Sequence, residues 1–178
     1  RELASNGKLR VLFLNWQEGV SQFQYYSPRI EKKDFHEKKK ATALFTKTVF
    51  IPGQEMAVTG TSIGMILVWA RSLIIDGIGE QNEKRLIKIV TLNDSSKAPN
   101  GMGAQINILT TIHDKYLVCG NTGGTIQFYD FQFKIMAWFE ELHFTTIKSI
   151  SFSKKKPTPA KPGKLGFDAA DSKDEDVF

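Results

Sequence analysis

One cysteine among 178 residues excludes an internal disulfide. The three histidines, His36, His113 and His143, stand at ligand spacing from no other His, Cys or carboxylate, which argues against a structural zinc site. No apolar run reaches the roughly eighteen residues of a membrane-crossing helix. The paired carboxylates Glu140-Glu141 and Glu175-Asp176 are sequence neighbours with no buried frame to drive their pKa values apart, as acid–base catalysis requires. Gly120 to Gly124 (GNTGG) precedes neither a helix nor a Gly-Lys-Ser/Thr element, so it reads as a hairpin turn and not as a phosphate loop. His113-Asp114 falls between two strands, where Asp is favoured for its local backbone bonds. Cys119, among Leu117, Val118 and Gly120, reads as a small buried hydrophobe. No catalytic constellation and no cofactor site emerges, and a non-enzymatic protein is expected.

What the chain does contain is a repeat. Residues 56–70 (MAVTGTSIGMILVWA) alternate apolar and small or polar positions, with Met56, Val58, Ile66 and Val68 in phase and Gly60 and Gly64 bracketing a reversal. That pattern predicts a hairpin. It returns sixty residues on as 116–130 (YLVCGNTGGTIQFYD), with Gly120 at the place of Gly60, Gly124 at Gly64 and Tyr129 at Trp69. A third copy of the second half is expected at the start, with Gly7, Leu9, Val11 and Leu12 over Gly64, Ile66, Val68 and Trp69. The preceding strand also recurs, residues 106–111 resembling 147–152 at a spacing of forty-one.

A spacing near forty, four short strands per unit and a hairpin ending in Gly-x-Ile-x-hydrophobic-aromatic-Asp resemble a WD-repeat β-propeller blade. More narrowly, the run LTTIHDKYLVCGNTGGTIQFYD from Leu109 through the SISFS of Ser149 to Ser153 resembles a ciliary WD-repeat family. LNWQEG at 14–19 and SPRI at 27–30 fit the same family. It is the cilia- and flagella-associated WD-repeat subunit of the calmodulin- and spoke-associated complex, at the base of radial spokes. Under this resemblance the blade-defining residues are Gly60, Gly64, Trp69, Gly120, Gly124, Tyr129 and Asp130. The hydrogen-bonded tetrad of such blades is degenerate here. Ile63 and Gly123 stand where a turn Asp is usual, Thr59 keeps the strand hydroxyl that Cys119 lacks, and Trp69-Ala70 and Tyr129-Asp130 split the closing pair. Apolar packing between sheets is therefore expected to hold the blades.

The expected fold class is all-β, a partial WD-repeat β-propeller of several four-stranded antiparallel blades. Seven blades of about forty residues need roughly 280, so the chain reads as a fragment of a larger protein. Residues 1–153 form the partial propeller, with insertions at 31–43 and 71–104. Residues 154–178 form a Lys/Pro-rich and then acidic interblade loop leading into a truncated next strand. Leu9 to Trp16 is expected as a strand, followed by an outer strand drawing on Phe23, Tyr25 and Ile30. The next blade runs from an inner strand within Leu44 to Ile51 to an outer strand at Leu86 to Leu92. Gln105 to Thr111, Lys115 to Gly120, Thr125 to Phe131 and Lys134 to Glu140 make the following blade, and Thr146 to Phe152 opens another. Both faces of KIMAWFE are apolar, which predicts a neighbour on each side.

The net charge of +5 is concentrated in two lysine clusters. Lys38, Lys39 and Lys40 in one, and Lys154, Lys155 and Lys156 in the other, are candidate partner contacts. The resemblance implies a structural scaffold of the cilium or flagellum axoneme and cytoskeleton. Its partners would be other axonemal proteins: spoke-base and spoke-associated complex subunits, with calmodulin and tubulin as candidates, and no membrane. The calmodulin link rests on the resemblance alone, since no basic amphipathic helix is evident. The competing class is a WD-repeat adaptor of a nuclear RNA–protein assembly, suggested by the lysines. Nucleic acid ranks below protein as a partner, and binding to it would weaken steeply with salt.

Overall fold

Alternation at period two with glycines at the reversals makes antiparallel hairpins, and in the computed structural model they assemble into three sheets. The structure describes residues 2–16, 18, 19, 21, 24–28, 30, 43–70, 86–92, 103–140 and 146–153. The first sheet contains β1 (Glu2–Asn6), β2 (Val11–Asn15) and β3 (Gln24–Tyr26) in that order. The second runs β4 (Phe45–Phe50), β5 (Met56–Thr61), β6 (Met65–Ala70) and β7 (Leu86–Thr91). The third runs β8 (Ile106–Ile112), β9 (Tyr116–Asn121), β10 (Ile126–Tyr129) and β11 (Ile135–Phe139), each strand pairing with its sequence neighbour.

The sheets stack face on face, and alternate residues of each strand serve opposite neighbours. From β6, Leu67 and Trp69 turn toward the first sheet and meet Val11 and Phe13. Ile66 and Val68 turn the other way and join Ile106, Leu109, Leu117, Cys119 and Tyr129 of the third sheet. A strand covered on both faces has no solvent side, which is why MILVWA is apolar throughout and buried along all but its last residue.

Three differences from the sequence expectations have local causes. In the first sheet the last ladder pair is Asn6–Val11, so the loop is residues 7–10. The equivalent loops are 61–65 and 121–125. Gly7 opens this turn and the strand starts two residues later than the repeat places it: Leu9 lies exposed in the turn, and Val11 and Phe13 take the buried places expected of Leu9 and Val11. Thr146 to Phe152 forms no ladder. It is held instead by the Ile147 amide donating to the Asn121 carbonyl at 3.0 Å and by Phe152 set edge-on to Phe128. Finally, β11 is apolar on both faces yet exposed, with Trp138 at 58% and Phe139 at 44%, because it is the outer edge of a sheet with one broad side uncovered among the described residues.

Of the expected insertions, 31–42, 71–85 and 93–102 lie outside the described residues, as do Phe23 and the segment 154–178. Within 71–104, residues 86–91 are the outer strand β7. Ala43 is buried beside Ile63 and Met65.

Exposed Leu3, Tyr25, Trp138 and Phe139 leave apolar surface at both ends of the stack. Expressed alone, this chain is expected to self-associate in sedimentation velocity. A monodisperse, cooperatively melting monomer would show that three sheets satisfy themselves.

Candidate functional site

The two hairpins carry the same polar fastening. Thr61 Oγ1 accepts the Met65 amide at 3.0 Å and donates to the Met65 carbonyl at 2.9 Å. At the equivalent place Asn121 Oδ1 accepts the amides of Gly123 at 2.9 Å and Thr125 at 3.1 Å. These short side chains close the turn where a blade motif would offer an Asp two residues later, so Thr61 and Asn121 take over the task that Ile63 and Gly123 cannot perform.

A second fastening ties each innermost strand to its own hairpin. Ser62 Oγ accepts the Leu44 amide while the Ser62 amide donates to the Leu44 carbonyl at 2.8 Å. Thr122 and Gln105 repeat the exchange at 3.1 and 2.9 Å. Sequence inspection missed this pair, although a hydroxyl residue in each turn at the sixty-residue spacing was its visible trace.

The blade-defining glycines are sites of close approach. A Cβ on Gly60 would lie 2.9 Å from Ile106 Cγ2, and one on Gly120 would lie 2.9 Å from Ile147 Cγ2. Each thus seats the first isoleucine of the following unit. Gly64 and Gly124 adopt φ of 72° and 78°, the left-handed conformation that a turn of this kind needs. His113 and Asp114, at φ 53° and 50°, make the tight β8–β9 turn, with the Lys115 amide donating to the Ile112 carbonyl.

Trp69 and Tyr129 occupy matching positions with different bonds. The Trp69 indole donates to Thr59 Oγ1 at 2.9 Å, and Thr59 Oγ1 lies 2.7 Å from Thr48 Oγ1. In the third sheet the corresponding residues are Leu109, Cys119 and Tyr129: the polar triad is exchanged as a unit for one with no hydroxyl partner inside the sheet. The Tyr129 hydroxyl instead donates across to the Leu92 carbonyl of the second sheet at 2.9 Å. Burial, and then the neighbouring Cys119, push the Tyr129 hydroxyl upward in pKa. Burial alone raises Cys119, which keeps that thiol protonated and unreactive. Asp130 caps the next turn, accepting the amides of Gln132 at 2.9 Å and Lys134 at 2.8 Å, a role Ala70 cannot fill in the second sheet.

Lys38, Lys39, Lys40, Lys154, Lys155 and Lys156 lie outside the described residues. Among the described residues, no three of His, Cys, Asp and Glu converge as a metal ion would require.

Against known proteins, a model of the CFAP251 N-terminal domain matches residues 1–177. The chain is 40% identical over 169 residues to cilia- and flagella-associated protein 251 of Tetrahymena thermophila, covering 94% of this chain and 16% of that protein. It is 35% identical over 153 residues to the protein of the same name from Chlamydomonas reinhardtii, covering 85% and 17%. The chain therefore spans about a sixth of the length of these relatives. Among solved structures, the β-propeller domain of Cps50 (Swd1) from Myceliophteria thermophila superposes with a TM-score of 0.50 at 14% identity, over 72% of this chain and 35% of that one. That likeness bears on the fold alone: all-β, with consecutive antiparallel blades of a WD-repeat propeller.

Proposed function

We propose, because the chain belongs to the CFAP251 N-terminal domain family, that it is part of a non-catalytic scaffold of the motile-cilium axoneme. It would help to anchor or assemble radial spokes on doublet microtubules within the calmodulin- and spoke-associated complex. The observation that carries this reading is the 40% identity along 94% of the chain to a cilia- and flagella-associated protein. Its architecture suits the role. Stacked blades fix a rigid body by apolar cores between sheets and leave hairpin turns and outer strands free to meet other surfaces. Spoke-base proteins, other subunits of the complex, calmodulin and tubulin are the partners this reading assigns to the intact protein. Lys38 to Lys40 and Lys154 to Lys156 would steer and orient acidic partners more than supply affinity.

The test is to localise the tagged full-length protein and to image cilia lacking it by electron tomography. Signal along axonemes and loss of a spoke at its base are expected. A nuclear protein, or axonemes that keep every spoke in its absence, would overturn the reading in favour of an RNA–protein adaptor.

A further inference from the structure

The innermost strands of the second and third sheets carry the same irregularity. In β4 the ladder passes from Phe45–Thr61 to Lys47–Gly60, and in β8 from Ile106–Asn121 to Ile108–Gly120, so Thr46 and Asn107 are extra residues in matching β-bulges. A bulge turns one side chain out of the alternating pattern, and two at one register are a repeated device for aiming side chains. Both residues line a single cavity of about 440 Å³, with Lys8, Leu44, Phe45, Gln105 and Lys148 completing it. Lys148 belongs to the same series. Ile147 meets Gly120 as Ile106 meets Gly60, so Thr46, Asn107 and Lys148 are equivalent positions of three successive units.

The wall has one chemical character. Among the described residues, two lysines line it and no aspartate or glutamate does. Gln105 Nε2 donates to Asn107 Oδ1 at 2.8 Å, which leaves the Asn107 amide hydrogens for a ligand. We propose that this cavity binds a carboxylate side chain of an acidic peptide segment, held by Lys8 and Lys148 and oriented by the Asn107 amide. The volume lies within the roughly 300–1,000 Å³ of small-ligand pockets and exceeds what one inorganic anion fills, and exposed Leu44 offers apolar surface to the methylene stem. Single-stranded nucleic acid is disfavoured because, among the described residues, the one aromatic ring in the lining, Phe45, is buried and presents no stacking face. This inference goes beyond the ciliary reading and does not depend on it.

In the full-length protein, a fluorescein-labelled tetraglutamate peptide is the probe, read by anisotropy. Lys8→Gln and Lys148→Gln should each weaken binding about tenfold, the effect of one charged hydrogen bond, and Lys134→Gln on the outer edge should leave it unchanged. Lys148→Glu should lose the peptide and gain a tetralysine peptide, an exchange that a merely misfolded variant would not produce. Equal weakening by Lys134→Gln would overturn the proposal as diffuse attraction. Inorganic phosphate binding as tightly as the peptide would reduce the cavity to an ion site, and a labelled oligouridylate that binds more tightly and is lost with the same variants would transfer it to nucleic acid.

Discussion

Valine at position 64 is expected to destabilise the central sheet by roughly 3–5 kcal/mol, against about 1–2 kcal/mol for valine at position 53. Both glycines sit in the left-handed region, Gly64 at φ 72° and Gly53 at φ 68°. Both substitutions therefore incur the strain of a β-branched residue there. They differ in what surrounds them. Around Gly53 a Cβ meets nothing within 4 Å, whereas at Gly64 it would lie 2.9 Å from the Gly103 Cα and 3.0 Å from the Ala104 carbonyl. Those atoms are backbone and cannot swing aside, so Gly64→Val must part the β5–β6 turn from the start of the third sheet. Amide exchange of β5 and β6 in the full-length protein measures this. Rates faster by about a hundredfold or more are expected for Gly64→Val, and by about tenfold for Gly53→Val. Equal effects would mean that the contact is not rigid.

Truncating Trp69 to alanine should cost about 3–5 kcal/mol. The ring is buried to 1%, lies edge-on to Phe13 at 6.0 Å, and gives its N–H to Thr59. The more informative variants convert the second sheet toward the third. Trp69→Tyr alone withdraws the indole donor from Thr59, and Thr59→Cys alone leaves a buried indole N–H without an acceptor. Each should cost about 1–3 kcal/mol. Made together they remove both partners, so the pair should cost less than the sum by about 0.5–3 kcal/mol. Tyr129→Phe, which loses only the bond to Leu92, should cost about 1 kcal/mol and loosen the junction between the second and third sheets. Strict additivity in chemical unfolding would show that the triad is not a unit.

The hairpins were legible in the sequence because their signals are local. Period-two alternation and the glycine reversals locate Met56–Thr61 and Met65–Ala70 to the residue, and the sixty-residue repeat transfers the pattern to β9 and β10. What was not legible depends on pairing. Nothing in FTKTVF or INILTTI marks Thr46 or Asn107 as bulged, since a bulge is defined by the strand opposite. Phe13 could not be named as the partner of Trp69, because the loop at 7–10 starts the strand two residues later than the repeat suggests and so brings Phe13 into the buried place expected of Val11. Thr61 and Asn121 escaped notice because turn closure was sought at Ile63 and Gly123, where the family motif has it. The Tyr129–Leu92 bond spans thirty-seven residues and follows from a missing hydroxyl at Cys119, a relation visible only once the sheets face each other.

The fastenings between sheets are unevenly distributed from the inner strands to the outer. At the inner end a backbone bond joins Phe45 to Lys8 and another joins Ile147 to Asn121, and the isoleucine seats on Gly60 and Gly120 leave no slack. Toward the outer edge the junction of the second and third sheets is held by Val90, Leu92, Phe131 and Phe133 packing against the shared core, with the Tyr129 hydroxyl and the Lys88 ammonium 4.7 Å from the Phe133 ring centre each adding on the order of 1 kcal/mol. Such a stack behaves mechanically like pages sewn at the spine. A pull applied at the periphery would spread the sheets from the outside inward, while the sewn edge carries tension without sliding.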